Sequence, residues 1–315
     1  MDRQFAPIRY EADLSRLVDS LPGSACFPSV IQKASRLAKE PHTAASDLAA
    51  IIKEDPLLTA GILHLANSPL SGQAQHISDI RECILALGFP AVRSFSVVIA
   101  ATSILRGTDS HLFRYGDFWL HSLCTALLAQ RLSRLIGISA VDEAFAAGFL
   151  HDIDKAVLHQ FARASFTSVL SMQREKGTLD QEMEIRFINT THAEIGRRLA
   201  EKWHLPMYLC EAIGDHHGAL VVGPEPAITA ICSISDYLCS IRGAGSLPSV
   251  GCPPRPDLLF PNLSCNSKAV LAVQQEIADI RDRARIFLRG FPLNTQPPFP
   301  SERSEKHAAF RWSHT

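Results

Sequence analysis

The segment GFLHDIDKAVL, residues 148–158, concentrates more reactive chemistry than any other stretch of the chain. An apolar helix end delivers His151 and Asp152 side by side, and Lys155 follows one turn later. A neutral imidazole beside a carboxylate is a ligand pair for divalent iron, manganese or zinc, and the carboxylate can bridge two ions. Lys155 adds a fixed positive charge suited to a phosphate oxygen. Because a His-Asp dipeptide is common by chance, its meaning depends on which other ligands fold onto it.

Other positions supply candidates. His121 lies thirty residues earlier in DFWLHSLCTALLAQRL, on a helix whose Leu123, Leu127 and Leu128 must face the core. A histidine there needs a partner, and on its own the simplest partner is a carbonyl or a surface group. His192 opens THAEIGRRLAEKWHLP, where Thr190 or Thr191 can cap, and His216 and His217 end the helix that follows. Asp236 sits within ITAICSISDYLCSI, a mostly apolar helix in which an unpaired carboxylate is costly. It is therefore a stronger pointer than any single histidine. A hydrogen-bonded polar core without metal is the competing reading, and burying so many titratable groups that way is expensive.

The elements that position these residues are helical. Periodic apolar spacing recurs along the chain, and no run of alternating β-branched residues bounded by hairpin turns appears. SDLAAIIKE (Ser46–Glu54) places Leu48, Ile51 and Ile52 on one face, with Ser46 or Asp47 as cap. Pro56 opens PLLTAGILHLA, which stops at Asn67-Ser68-Pro69. Ile80–Leu87 is a helix ended by Gly88, and Pro90 starts VRSFSVVIAATSIL. A second series comprises Tyr115–Ile136, Val141–His151, a helix after Ile153, then Phe166–Lys176, Ala193–Trp203 and Pro206–His216. Residues 243–265, rich in Pro, Gly and Ser, form a connecting loop, and Asn266–Leu288 returns to helical spacing. The expected fold is all-α, an N-terminal helical subdomain packed on a helical bundle. The expected divisions are a helical extension over 1–20, the N-terminal part over 21–110, the metal-binding part over 111–290 and a mobile tail over 291–315.

Composition bounds the partners. With 315 residues, 46% of them hydrophobic, the chain can bury a sizeable core. Its 31 Lys and Arg nearly cancel 32 Asp and Glu, so no global field favours nucleic acid or an anionic membrane. Basic stretches such as GRRLAEK and IRDRARIFLR alternate with acids and apolar residues, as solvated helix faces do. No apolar run approaches the ~20 residues that span a bilayer, and no signal-peptide core is evident, so the expected compartment is the cytoplasm. The eight cysteines form no CxxC pair and are read as reduced core thiols.

The order His121, His151-Asp152, His192, His216-His217, Asp236 resembles the ligand series of the HD superfamily of metal-dependent phosphohydrolases, with spacing closest to the HD-GYP branch. That resemblance implies that these residues hold metal, with Lys155 assisting, and that Asp117 occupies the place of an acidic ligand found in some trinuclear relatives. The segments IIKEDPLLTAGILHLANSPLSG and ISDIRECILALGFPAVRSF resemble the N-terminal helical part of the HDOD family, and together with FWLHS, GFLHDIDK and IGDHHG the likeness runs from about Leu21 to Asp236. HDOD proteins are all-helical, act mainly in bacterial signalling, and often lack part of the ligand set that this chain keeps whole. After HHG the sequence reads ALVVGPEPAITAI, so the GYP element is missing, and Asp154 stands where HDIGK has glycine.

Two functions follow as expectations. In the first, the protein is a regulatory binding module whose metal site, or a phosphorylated or nucleotide ligand held on it, shapes a surface for other signalling proteins. In the second it is an active phosphohydrolase, with Asp152 and Lys155 as catalytic groups. The expected cofactor is a divalent transition metal, iron or manganese with zinc as the alternative, at two ions per chain.

Overall fold

The computed structural model describes residues 42–105, 107–176, 181–217, 226–244 and 267–291, with a few positions between 33 and 40. All regular structure among them is helical. The expected extension over 1–20, the ALVVGPE segment after HHG, most of the Pro/Gly-rich loop and the tail lie outside the described residues.

The N-terminal part comprises α1 (Ala45–Lys53), α2 (Pro56–Ala66), α3 (Ile80–Leu87) and α4 (Phe89–Ile104). Asp55 caps α2 by accepting from the amides of Leu57 and Leu58, with Pro56 at the first helical position, and Asp79 caps α3 in the same way. The cap expected for α1 is corrected. Ala44 is its N-cap and contributes no side-chain bond, while Asp47 falls inside the first turn, where its charge complements the helix dipole.

The second part is built from α5 (Tyr115–Ile136), α6 (Val141–Leu150), α7 (Ile153–Phe161), α8 (Arg163–Lys176), α9 (Gln181–Ile188), α10 (His192–Lys202), α11 (Met207–Asp215), α12 (Pro226–Ile241) and α13 (Ser267–Gly290). Helix α6 is its centre, packed against α5, α11 and α12, while α7 lies against α8 and α10. Helix α9 has no counterpart in the sequence reading, because its eight residues, QEMEIRFI, combine three charged groups with only a short apolar stripe.

The two parts share one core. Val98 of α4, Leu123 of α5 and Phe149 of α6 belong to the same buried cluster, and α4 packs directly on α6. The last helix ties them together, running along α5 and reaching back to α2, where Nε2 of His64 lies 2.8 Å from the Phe287 carbonyl. On the way Arg131 of α5 grips Glu276 of α13 through two bonds of 2.9 Å. Among the described residues no single helix is long and apolar enough to cross a membrane, and the bent pair that passes such a test there, α3 with α4, packs partly into this core. The described cysteines, 83, 124, 210, 232 and 239, are buried and unpaired, as read from the sequence.

Candidate metal centre

The carboxylate of Asp152 is the middle of the site. It follows directly on the end of α6 and is itself the cap residue of α7, so two successive helices fix its backbone. Its Oδ2 lies 3.2 Å from Nε2 of His151 and 4.0 Å from Nε2 of His121, and its Oδ1 lies 3.3 Å from Nε2 of His216 and 3.6 Å from Nε2 of His192. The two oxygens thus face two different sets of donors. One set is His121, His151 and Asp236, and the other is Asp152 with His192, His216 and His217, with the donor atoms of each set within 4.8 Å of one another. All seven residues are buried.

Each helix contributes by position. His121 comes from the middle of α5, His151 from the end of α6, His192 from the first turn of α10, His216 and His217 from the end of α11, and Asp236 from α12. Chain distance is irrelevant here, because the packing of these helices brings the residues together. Backbone carbonyls then set the rings. Nδ1 of His151 donates to Gly148 O and Nδ1 of His216 donates to Ile213 O, each at 2.9 Å, which turns both Nε2 atoms inward. In both cases the partner is the carbonyl one turn back along the same helix.

A residue that sequence reasoning missed does the same for His192. Both oxygens of Glu184, on α9, lie within 2.8 Å of its Nδ1, and Oε2 also accepts the His192 backbone N–H at 2.9 Å. Glu184 is 2% exposed. The available signal was faint, an acid eight residues before a candidate histidine in a segment with little helical pattern.

The electrostatics follow from this crowding. Burial opposes ionisation of Asp152, but His151 and Lys155 outweigh it and hold the carboxyl well below the usual range; Lys155 Nζ donates to Oδ2 at 2.6 Å. Asp236 is likewise held low against burial by a bond from His121 at 3.0 Å and by the His151 ring 3.6 Å away. Burial depresses His151, yet the Asp152 and Asp236 carboxylates overcome it and push the imidazole up to about 10. His216 and His217 are pushed down by burial, His217 further by its neighbour His216, so both stay neutral and able to donate a lone pair.

Asp154, the departure from HDIGK, is fully buried, and neither of its oxygens finds a hydrogen bond. Burial lifts its carboxyl to about 7. It occupies space left by Gly196 on α10, where an added Cβ would sit 2.3 Å from Asp154 Oδ2. Asp154 is thus a buried acid set in the α7–α10 packing, its carboxyl raised by loss of water.

Asp117 stands apart. It lies in the first turn of α5, pairs with Arg114 at 3.5 Å and is in neither donor set.

The donor chemistry fits a cation. The Nε2 atoms of His151, His192, His216 and His217 and Oδ1 of Asp152 are buried without a hydrogen-bond partner. Buried polar atoms are seldom left so, and five of them aimed at one centre leave coordination unmet rather than a finished polar core.

An all-helical fold with a His/Asp centre between its helices defines a protein of the HD-like class. The HDOD domain matches residues 25–219, and the chain belongs to the HDOD family. Its structure is similar to that of an HDOD domain protein with unknown function from Geobacter sulfurreducens, at 25% identity and a TM-score of 0.70 over 82% of this chain and 92% of the other. It also resembles a candidate signal transduction protein from Marinobacter aquaeolei VT8 (20% identity, TM-score 0.73, 88% of this chain and 64% of that one). A candidate phosphohydrolase from Shewanella amazonensis SB2B shares the fold as well (20% identity, TM-score 0.67, 88% and 97%). A curated relative from Treponema pallidum (strain Nichols), described only as an uncharacterized protein, is 25% identical over 232 residues, or 73% of this chain. The chain spans less than half, 44%, of that relative's length.

Proposed function

We propose that this HDOD protein is a regulatory signalling module built on a two-ion HD-type metal centre, and that a phosphorylated or nucleotide ligand docks on that centre. The carrying observation is the division of Asp152, one oxygen to each donor set, with unbonded imidazole nitrogens around it. Three or four nitrogen and oxygen donors per set suit iron or manganese, with zinc as the alternative. His121, His151 and Asp236 would hold one ion, His192, His216 and His217 the other, and Asp152 would bridge. Bound there, the ions would supply Lewis acidity toward a phosphoryl oxygen. The chain's own contribution is to keep Asp152 ionised, to keep His216 and His217 neutral, and to set the Lys155 ammonium where it can meet phosphate charge. A ligand-dependent shape of the surrounding helices would then be read by other signalling proteins.

The test is metal analysis of the full chain purified without chelator. About two equivalents of iron or manganese per chain are expected, falling below half an equivalent in Asp152→Ala. Wild-type protein that takes up no divalent metal would sink the reading.

Lys155, buried within 2.6 Å of Asp152, also favours a second reading, an active phosphohydrolase. The missing GYP element argues against turnover of cyclic-di-GMP. Incubation of metal-loaded protein with that dinucleotide should leave it intact. Steady formation of the linear product, lost in Asp152→Ala, would move the assignment to the enzyme.

A further inference from the structure

The two donor sets around Asp152 offer similar atoms in different conditions. In the set of Asp152, His192, His216 and His217, Oδ1 of the aspartate and Nε2 of each imidazole are buried without a hydrogen-bond partner. His192 and His216 are also held from behind, through Nδ1, by the Glu184 carboxylate and the Ile213 carbonyl. Donors that are oriented yet engaged with nothing can coordinate an ion without first giving up a bond.

The set of His121, His151 and Asp236 is largely satisfied by its own neighbours. Nε2 of His121 lies 3.0 Å from Oδ1 of Asp236, and because an ionised carboxylate can only accept, the ring nitrogen is the donor. The Ser240 hydroxyl donates to the same oxygen at 3.3 Å. Of the three residues only His151 presents a bare Nε2. Oδ2 of Asp152, the oxygen turned toward this set, already accepts from the Lys155 ammonium at 2.6 Å. Lys155 is buried, so its charge balances, in place, the very carboxylate that a cation in this set would use.

We propose that the centre fills in a fixed order. The set of His192, His216, His217 and Asp152 Oδ1 takes the first divalent ion and holds it tightly. The set of His121, His151 and Asp236 takes a second, exchangeable ion, for whose place on Asp152 Oδ2 the Lys155 ammonium competes. This rests on the two-ion reading above and adds to it an order and a competitor. Seating the second ion parts His121 from Asp236 and Lys155 from Oδ2, two charge-assisted bonds with no counterpart in the first set. Occupancy of the weaker set then follows the supply of divalent metal, which makes it the variable half of the centre.

Calorimetric titration of the full chain with manganese(II), after treatment with chelator and its removal, reads the order directly. Two classes of site are expected, about one equivalent each, with dissociation constants at least about tenfold apart. Asp236→Asn should abolish the weaker class and keep the tighter one. Lys155→Met keeps the length of the side chain and removes the competitor, so the weaker class should tighten at least about fivefold and the tighter class change less. A lysine that merely orients Asp152 would give the opposite sign. The order is overturned if the wild type binds two ions with equal affinity, if Asp236→Asn loses the tighter class, or if Lys155→Met leaves the weaker class unchanged or weaker. The wild-type isotherm decides by itself should a variant fail to fold. No uptake of manganese at all would overturn the two-ion reading and this order with it, whereas two equal sites would overturn the order alone.

Discussion

Glu184 clasps His192 at two points, its carboxylate accepting from the ring Nδ1 at 2.7 Å and from the same residue's backbone N–H at 2.9 Å. Two anchors to one residue fix both where α10 begins and how the imidazole is rotated. The negative charge also raises the basicity of the ring, which strengthens a ligand facing a cation. Glu184→Gln keeps the size but removes that charge and one of the ring's acceptor options. Apparent metal affinity should fall about 10- to 100-fold, measured by competition with a chromogenic chelator. Unchanged affinity would mean that the clasp serves folding alone.

Metal that binds only the folded chain stabilises it, by about 2.7 kcal/mol at a hundredfold excess over Kd. Chelator should therefore lower the melting temperature of the wild type by several degrees and leave Asp152→Ala nearly unmoved. An equal response in both would show that the stabilising ion sits elsewhere.

Gly148 makes the α5–α6 crossing possible. A Cβ there would lie 2.9 Å from both the Thr125 carbonyl and the Ala126 Cα, and backbone cannot swing aside as a side chain can. Gly148→Ala should cost about 1–3 kcal/mol in urea unfolding through overpacking. Because His151 bonds to the Gly148 carbonyl, the same change should weaken metal binding; a variant as stable as wild type would contradict the crossing geometry.

His159 supplies a pH dependence away from the candidate metal centre. Its ring stacks on Phe113 at 4.5 Å, and burial, helped by the Arg163 charge, lowers it from 6.5 to about 4. The folded state therefore favours the neutral ring. Its stabilising contribution is complete above pH 6.5, declines as the unfolded chain takes up the proton, and is gone below about pH 4. The full effect is about 3 kcal/mol. His159→Phe keeps the stack but cannot titrate, so its stability should fall less than that of wild type between pH 7 and pH 4.5. Parallel urea titrations at the two pH values would show equal losses if the ring were accessible to protons.

Much of the site was legible in linear order. The helix that carries His121 could be placed at Tyr115–Ile136 from its recurring apolar residues. Asp236 was marked by its own improbability, a carboxylate in an apolar helix, and Asp152 was marked as a bridge by standing next to a histidine at a helix end. Residue type and helical period are local quantities, and a sequence carries them in full.

Only the tertiary structure decided how those residues divide. That Oδ2 of Asp152 faces His151 while Oδ1 faces His216 depends on the angles at which α6, α10 and α11 meet. Glu184 was invisible because its importance comes from a contact made by a short, highly charged helix, whose pattern alone does not distinguish a buried acid from a solvated one. Asp154 reads in the sequence as a charge, yet the Gly196 notch that receives it is 42 residues away and strips it of water. Ligand identity is a property of single residues, whereas solvation, protonation and the sharing of a carboxylate are set by what the packed helices place around them.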